Sequence, residues 1–314
     1  MAYQLETNTD SSKIIHLNTN DADTYLQSGI TTYCSFVLDT PIIVDKEHAC
    51  LISLNSAIIP YSMYNIRSGV NNSIPFRYSS DNRLGFVIIP EGNYTITTLA
   101  NKISELLNAV DDLSGNYTIS FDRVSMKYTY FSSVSEIFFD FSARTDISNI
   151  EMGFGEKQST GVISSLGIIS ENVPDVNGSI HSLFIRTNLT SKSSIDSQTK
   201  SFSTILGKIP IDTNFGGVLF FNPRDNTQKI DTHIINILTI RITDEKNRNL
   251  NLNGLNCNLS IMIDIVNKTD FIKKDNRRTQ EIYLENKNKE RINEIEKNKK
   301  RAGRPRNVGR PKKK

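Results

Sequence analysis

The chain has 314 residues, enough for one large hydrophobic core or two modest ones, and 37% of them are hydrophobic, with no Trp. Its formal net charge of +3 conceals a division: residues 271–314 hold 17 Lys and Arg against 6 Asp and Glu, whereas residues 1–270 hold 20 against 28. No run approaches the roughly 18 apolar residues of a membrane helix, and an acidic body with a basic tail points to two different partners, one of them polyanionic.

The opening MAYQLETNTDSSK has neither the charged nor the apolar region of a signal peptide. Cys34, Cys50 and Cys257 form no CxxC pair and sit among apolar residues, so the expectation is a soluble intracellular protein with buried free thiols. A short strand is predicted at 13–17. Another spans 33–44, with Cys34, Phe36 and Leu38 on one parity, and a third spans 49–59, with Cys50, Ile52, Leu54 and Ile58 on one parity before Pro60. Period-two alternation of this kind marks strands with one buried face.

From 61 to about 169 the texture changes. Segments 74–78 and 84–89 flank Asp81-Asn82 as a hairpin, and residues 96–110 form the one convincing helix. Its Ile96, Leu99, Ala100, Ile103, Leu106, Leu107 and Val110 follow the spacing of an amphipathic helix, with Thr95 or Thr97 as N-cap. A second hairpin (117–121 and 128–131) and a third strand (136–141) complete a small α+β unit inserted into the sandwich. The Gly/Ser-rich stretch 153–170 is expected to be a long surface loop.

Strands resume at 180–186, 202–211 and 218–221, with a polar loop at 188–201. The stretch 232–266 organises the whole: Ile234, Leu238, Ile240 and Ile242 share one parity, and Cys257, Leu259, Ile261, Ile263 and Ile265 another. Between them Asp244-Glu245-Lys246-Asn247 and Asn253-Gly254 are turn chemistry. About eight strands for two sheets match a jelly roll. The expected fold is therefore mainly β, a single jelly-roll sandwich in two parts (1–62 and 171–268), an inserted small α+β domain (63–170), and a basic, extended or disordered C-terminal tail (269–314). Within the tail, residues 279–301 read either as a solvated helix, with Glu285/Lys289 and Glu296/Lys300 at supporting spacing, or as disorder.

Little in the chain asks for catalysis. Gly153-Phe154-Gly155 with Gly161 lacks the Lys-Ser/Thr of a phosphate-binding loop, and His16, His48, His181 and His233 are scattered without ligand spacing. His48 and Cys50 share one strand parity, as packing residues do, and Asp111-Asp112 suits loop solvation. No catalytic, cofactor-binding or metal residue is assigned, and the protein is not expected to be an enzyme. The aromatic runs Phe138-Phe139-Asp140-Phe141 and Phe220-Phe221 are either fully internal strands or subunit interface.

The end, KRAGRPRNVGRPKKK, contains two Gly-Arg-Pro units. Such a strip stays extended and suits the narrow minor groove, so Lys299, Lys300, Arg301, Arg304, Arg306, Arg310, Lys312, Lys313 and Lys314 are the candidate nucleic-acid-binding residues. The units are similar to AT-hooks, yet Ala302 and Val308 stand where that motif has Arg. A non-specific polycation and a nuclear import signal are the other readings.

Five phrases keep a shared order: LISLNSAIIP (51–60) with Tyr61-Ser62, IPEGNYTITTL (89–99), Met152-Gly153-Phe154, ILGKIP (205–210) and IRITDEKNRNLNLNG (240–254). Together they resemble the minor capsid, or penton, proteins of virophages, polinton-like viruses and related large DNA viruses of eukaryotes, over most of residues 13–266. The resemblance implies a homo-pentamer that plugs the five-fold vertex of an icosahedral capsid, with trimeric double jelly-roll major capsid proteins as neighbours. It also implies a location in the virion after synthesis in the host cytoplasm or nucleus, and it supplies no catalytic residues and no cofactor. The function expected is thus a structural virion protein whose basic tail contacts packaged viral DNA. The alternative is a DNA-binding protein acting through the Gly-Arg-Pro repeats, with the β body as an oligomerisation module. A carbohydrate-binding jelly roll is a third reading, to which a chain without Trp gives little help.

Overall fold

The computed structural model describes residues 11–269 except 114–115, 156–158, 179, 192–193, 199 and 224–226. The segment 279–301, read as helix or disorder, lies outside the described residues. In chain order come β1 (Ser11–Asn18), β2 (Thr24–Tyr25), β3 (Tyr33–Ile43) and β4 (His48–Pro60). Then follow β5 (Ser73–Tyr78), β6 (Leu84–Ile88), α1 (Ile96–Asn108), β7 (Tyr117–Asp122), β8 (Lys127–Ser132), β9 (Ile137–Phe139) and β10 (Ile168–Ile169). The last group is β11 (Ser182–Thr187), β12 (Ile195–Asp196), β13 (Ser201–Phe202), β14 (Ile205–Pro210), β15 (Val218–Phe221), β16 (Gln228–Ile230), β17 (Ile234–Thr243) and β18 (Asn258–Asn267).

Two five-stranded antiparallel sheets form the sandwich. One runs β1-β18-β4-β15, with β16 also on β4, and the other runs β14-β11-β17-β3-β2. Successive long strands change sheet at β1, β3, β4 and β11, stay for β14, and change again at β15, β17 and β18. That alternation is jelly-roll topology. The inner faces meet in one core that includes Cys34, Ile52, Leu54, Ile185, Leu206, Ile240, Leu259, Ile261 and Ile263. The turn residues behave as their chemistry demands: Asn247, Asn253 and Gly254 all have positive φ (61°, 53° and 81°).

Strict alternation fails at two places, and each failure turns a side chain expected inside to the outside. In β4 the pairing with β18 slips between Ser56 and Leu54, leaving Asn55 as an extra residue. Cys50, Ile52 and Leu54 point inward as predicted, but beyond the bulge Ala57 and Ile59 are buried and Ile58 is exposed. In β17 the ladder to β3 is irregular between Ile235 and Ile237, opposite a stretch of β3 containing Pro41, which has no N–H to give. Ile235 is therefore buried and Ile234 lies outside, against the expected parity.

A second, separate core draws on residues between Ile66 and Val176. It joins the sheet β6-β5-β9 to the sheet β10-β8-β7, with α1 resting on β7. Thr95 is the N-cap of α1, and its side chain and that of Thr98 satisfy each other's backbone N–H in a capping box. The strand expected at 136–141 is confined to β9 and pairs with β5 of the first hairpin. The stretch 153–170 is only in part the surface loop expected of it: Gly161, Val162, Ser165, Leu166 and Ile169 are exposed, but its ends are built into the core. Phe154 sits in a cluster with Tyr130, Phe139 and Phe141, β10 pairs with β8, and Ser170 is buried. Glycine and serine there serve close packing: a Cβ on Gly153 (φ +79°) would lie 2.5 Å from the Asn172 carbonyl oxygen.

Candidate functional site

The two bulges decide what the sandwich shows to solvent. On the outer face of the β3–β17 pair, Ile43 opposes Ile234 and Val37 opposes Ile237. All four are exposed, Ile43 by 66% and Ile234 by 58%. On the outer face of the other sheet, Ile58 opposes Phe220, which is 72% exposed, with Val218 two residues along the same strand. Phe215 lies nearby, its ring against Tyr61 and Tyr64. The two aromatic runs thus resolve differently: Phe139 and Phe141 are internal, whereas Phe220 is at the surface and Phe221 half-buried. Cross-strand aliphatic pairs on a solvent face stabilise a sheet only modestly, and clusters of them are the usual mark of a contact surface.

A second candidate region is the joint between the two cores. The chain leaves β4 through Asn65 and returns through Gly178, and the two crossings touch. A Cβ on Gly178 (φ +63°) would lie 2.1 Å from the Asn65 carbonyl oxygen, so only glycine fits. The Asn65 amide donates to the carbonyl oxygens of Tyr94 (2.7 Å) and Val176 (2.5 Å) and accepts from the Tyr94 N–H (2.9 Å).

Arg67 spans the joint, donating to Asp244 Oδ2 (3.2 Å) and to the Gly178 carbonyl oxygen (3.3 Å). Asp244, fully buried, also receives Arg248 Nε (2.7 Å) and the backbone N–H groups of Lys246 (3.0 Å) and Arg248 (2.9 Å). Burial, then the neighbouring Arg248, lowers the Arg67 guanidinium from its ordinary value, and Asp244 opposes both. Asn71 accepts the Arg67 N–H (2.8 Å) and donates to the Asn65 carbonyl (2.8 Å) and to Glu151 Oε1 (2.6 Å). Glu151 is only 3% exposed, and burial pushes its carboxyl up to about 7 despite the Asn71 hydrogen bond. A cavity of about 170 Å³ opens beside it, lined by Asn71, Asn149, Glu151, Gly178, Lys246 and Arg248.

The nine basic residues singled out in the tail (Lys299, Lys300, Arg301, Arg304, Arg306, Arg310, Lys312, Lys313 and Lys314) lie outside the described residues. The joint was invisible in the sequence except at Asp244, which turn chemistry marked without revealing its burial. Glu151 gave no signal. Cys34, Cys50 and Cys257 are buried free thiols, pushed up by burial to about 11, 11 and 12. His16 is bonded to Ser260 (2.9 Å), His181 faces Asp175 (3.2 Å), and Asp112 pairs with Arg83 (2.8 Å) at the surface. Among the described residues no group of three His, Cys, Asp or Glu converges as metal ligands do, and no helix is long and apolar enough to cross a membrane.

No protein-family model matches the chain, and no curated protein matches it. Among solved structures, the chain is similar to the mavirus penton protein at 15% identity and a TM-score of 0.45, with 81% of this chain and 100% of that chain covered.

Proposed function

We propose that the protein is a structural capsid protein, a penton subunit whose jelly rolls close head to tail into a five-membered ring at an icosahedral vertex. The observation that carries this reading is the pair of apolar patches on opposite outer faces of one sandwich, Val37/Ile43/Ile234/Ile237 on one sheet and Ile58/Val218/Phe220 on the other. Two unlike patches suit a heterologous contact, one copy's patch meeting the other patch of its neighbour, and such contacts form a ring where the rotation between copies closes. The ordered phrases of the sequence support the same reading. In it, residues 63–170 are an inserted domain, major capsid protein trimers surround the ring, and the virion is the site of action. The tail supports a further contact: the 17 basic against 6 acidic residues of 271–314 suit packaged DNA.

The test is the native mass of the full chain beside a chain ending at Lys268, with Phe220→Asp as a third sample. The expected result is a pentamer for both lengths, dissociation of the Phe220→Asp form without unfolding, and DNA binding by the full chain alone. That binding should weaken with salt, log K falling by about 0.9 per phosphate neutralised. A shortened chain that stays monomeric or dimeric at every concentration, while the full chain binds DNA, favours the second reading: a DNA-binding protein acting through its Gly-Arg-Pro repeats.

A further inference from the structure

We propose that the free edge of β6 is a self-association site, at which a second copy of this chain adds its own β6 antiparallel, about a two-fold axis through Phe86. β6 is the outermost strand of the sheet β6-β5-β9, and its pairing with β5 runs unbroken from Arg77↔Leu84 to Ser73↔Ile88. Just beyond the two ends, the Tyr78 N–H donates to the Arg83 carbonyl oxygen (3.1 Å) and the Ile89 N–H to that of Asn72 (2.8 Å). Backbone groups alternate in direction along an antiparallel strand. Those of Arg83, Gly85, Val87 and Ile89 therefore face β5, and those of Leu84, Phe86 and Ile88 face away from it. Among the described residues, nothing bonds to the backbone of these three. Such a row of open N–H and C=O groups is the template for one further extended strand.

The same three residues carry apolar side chains on the outer face of the sheet. Val87 is buried, and a Cβ on Gly85 would lie 2.5 Å from the Phe76 ring, so positions 85 and 87 face the inner core. Leu84, Phe86 and Ile88 are all exposed, Phe86 by 54%. The Arg144 guanidinium lies over the Phe86 ring (4.9 Å) and is itself held by two bonds to Asp146 (2.8 and 2.9 Å), so the ring is set before a partner arrives. Two edge strands of the sandwich are guarded by contrast: β1 carries Lys13, and β14 carries Lys208 and ends at Pro210. β6, Leu-Gly-Phe-Val-Ile, has neither charge nor proline.

The spacing selects a second copy as the occupant. With Phe86 of one copy opposite Phe86 of the other, Leu84 meets Ile88 at both ends. Each opposed pair exchanges two backbone hydrogen bonds, about six in all, and sets apolar against apolar across the junction. A register shift of one residue would set open backbone groups against groups already spent on β5. A shift of two would leave one apolar residue of each copy without a partner. The contact is isologous, so it closes on two copies, and it lies apart from the patches assigned to the ring, whose failure leaves it untouched. Five residues a side make a small contact of the weak, reversible kind, which is best trapped covalently.

Single cysteines in the full chain test the register, because Cys34, Cys50 and Cys257 are buried away from a thiol reagent. In the proposed pair, two Phe86→Cys sites face each other at about 5.5 Å between Cα atoms. Two Leu84→Cys sites lie about 14 Å apart along the strands. A bis-thiol reagent spanning about 8 Å, between those distances, should yield covalent dimers of Phe86→Cys at high protein concentration. It should yield none of Leu84→Cys or Ile88→Cys alone, and dimers again when those two chains are mixed. Adding Leu84→Lys and Ile88→Lys to Phe86→Cys sets like charges opposite each other at both ends and should cut the yield roughly tenfold. All three side chains are exposed, so the substitutions leave the fold in place. No dimer at Phe86→Cys, equal yields at all three positions, or a yield that the two lysines leave unchanged would overturn the proposal.

Discussion

A carboxylate with no exposed surface needs its charge answered on every side, and Asp244 is answered by two guanidinium groups and two backbone N–H groups. Removing it strands Arg67 and Arg248 at the joint. Asp244→Ala should cost about 3–5 kcal/mol, and Asp244→Asn less, because an amide oxygen still accepts the backbone bonds. Urea unfolding of both variants checks this, and an alanine variant within 1 kcal/mol of the parent contradicts it. The exposed Arg83–Asp112 pair is the contrast: its loss should leave the unfolding midpoint nearly unchanged. At this scale the sequence was a partial guide. Asp244 announced itself as a turn former, and Thr95 as a helix cap, because those roles are local. That Asp244 meets Arg67, 177 positions away, is a property of the folded whole and leaves no local mark.

The long strands were legible as elements and so was most of their periodicity, which failed only at the two bulges, for a reason visible in their composition. Around Asn55 and Asn236 both parities carry aliphatic residues: Ala57, Ile58 and Ile59 in β4, Ile234 and Ile235 in β17. Such text accepts either face, so the extra residue of a bulge cannot be located by alternation. The consequence is testable by deletion. Removing Asn55 restores unbroken alternation on paper, but it would turn Ala57 and Ile59 out of the core and force Ile58 in. The deletion should prevent folding or lower Tm by well over 10 °C, whereas Asn55→Ala, an exposed substitution, should stay within about 0.5 kcal/mol. Equal, small effects of both changes would mean that the bulge carries no register. The aromatic runs show the same limit: Phe139 and Phe220 look alike in sequence, yet Phe139 belongs to the inner core, whereas Phe220 lies opposite Ile58, which the bulge at Asn55 turns outward.

At the scale of the molecule, the sandwich ties its two ends together, β1 pairing with β18 from Ser11↔Ile265 to Asn18↔Asn258. The 66–176 unit, by contrast, closes its core within one contiguous stretch. Loop-closure entropy makes distant pairings slow relative to local ones. Pulse-labelled refolding should protect the amides of β5, β7 and β8 before those of β1 and β18, and simultaneous protection would refute that order. During synthesis this sets a clock. A ribosome that has made the inner unit still holds a sheet whose middle strand does not exist, with β1 and β4 each waiting for β18. The patch of β4 and β15 lies in that unfinished sheet, whereas β3 and β17 are already made, so in the ring proposed above a chain released early would bring one face and lack the other, and could not close the circle.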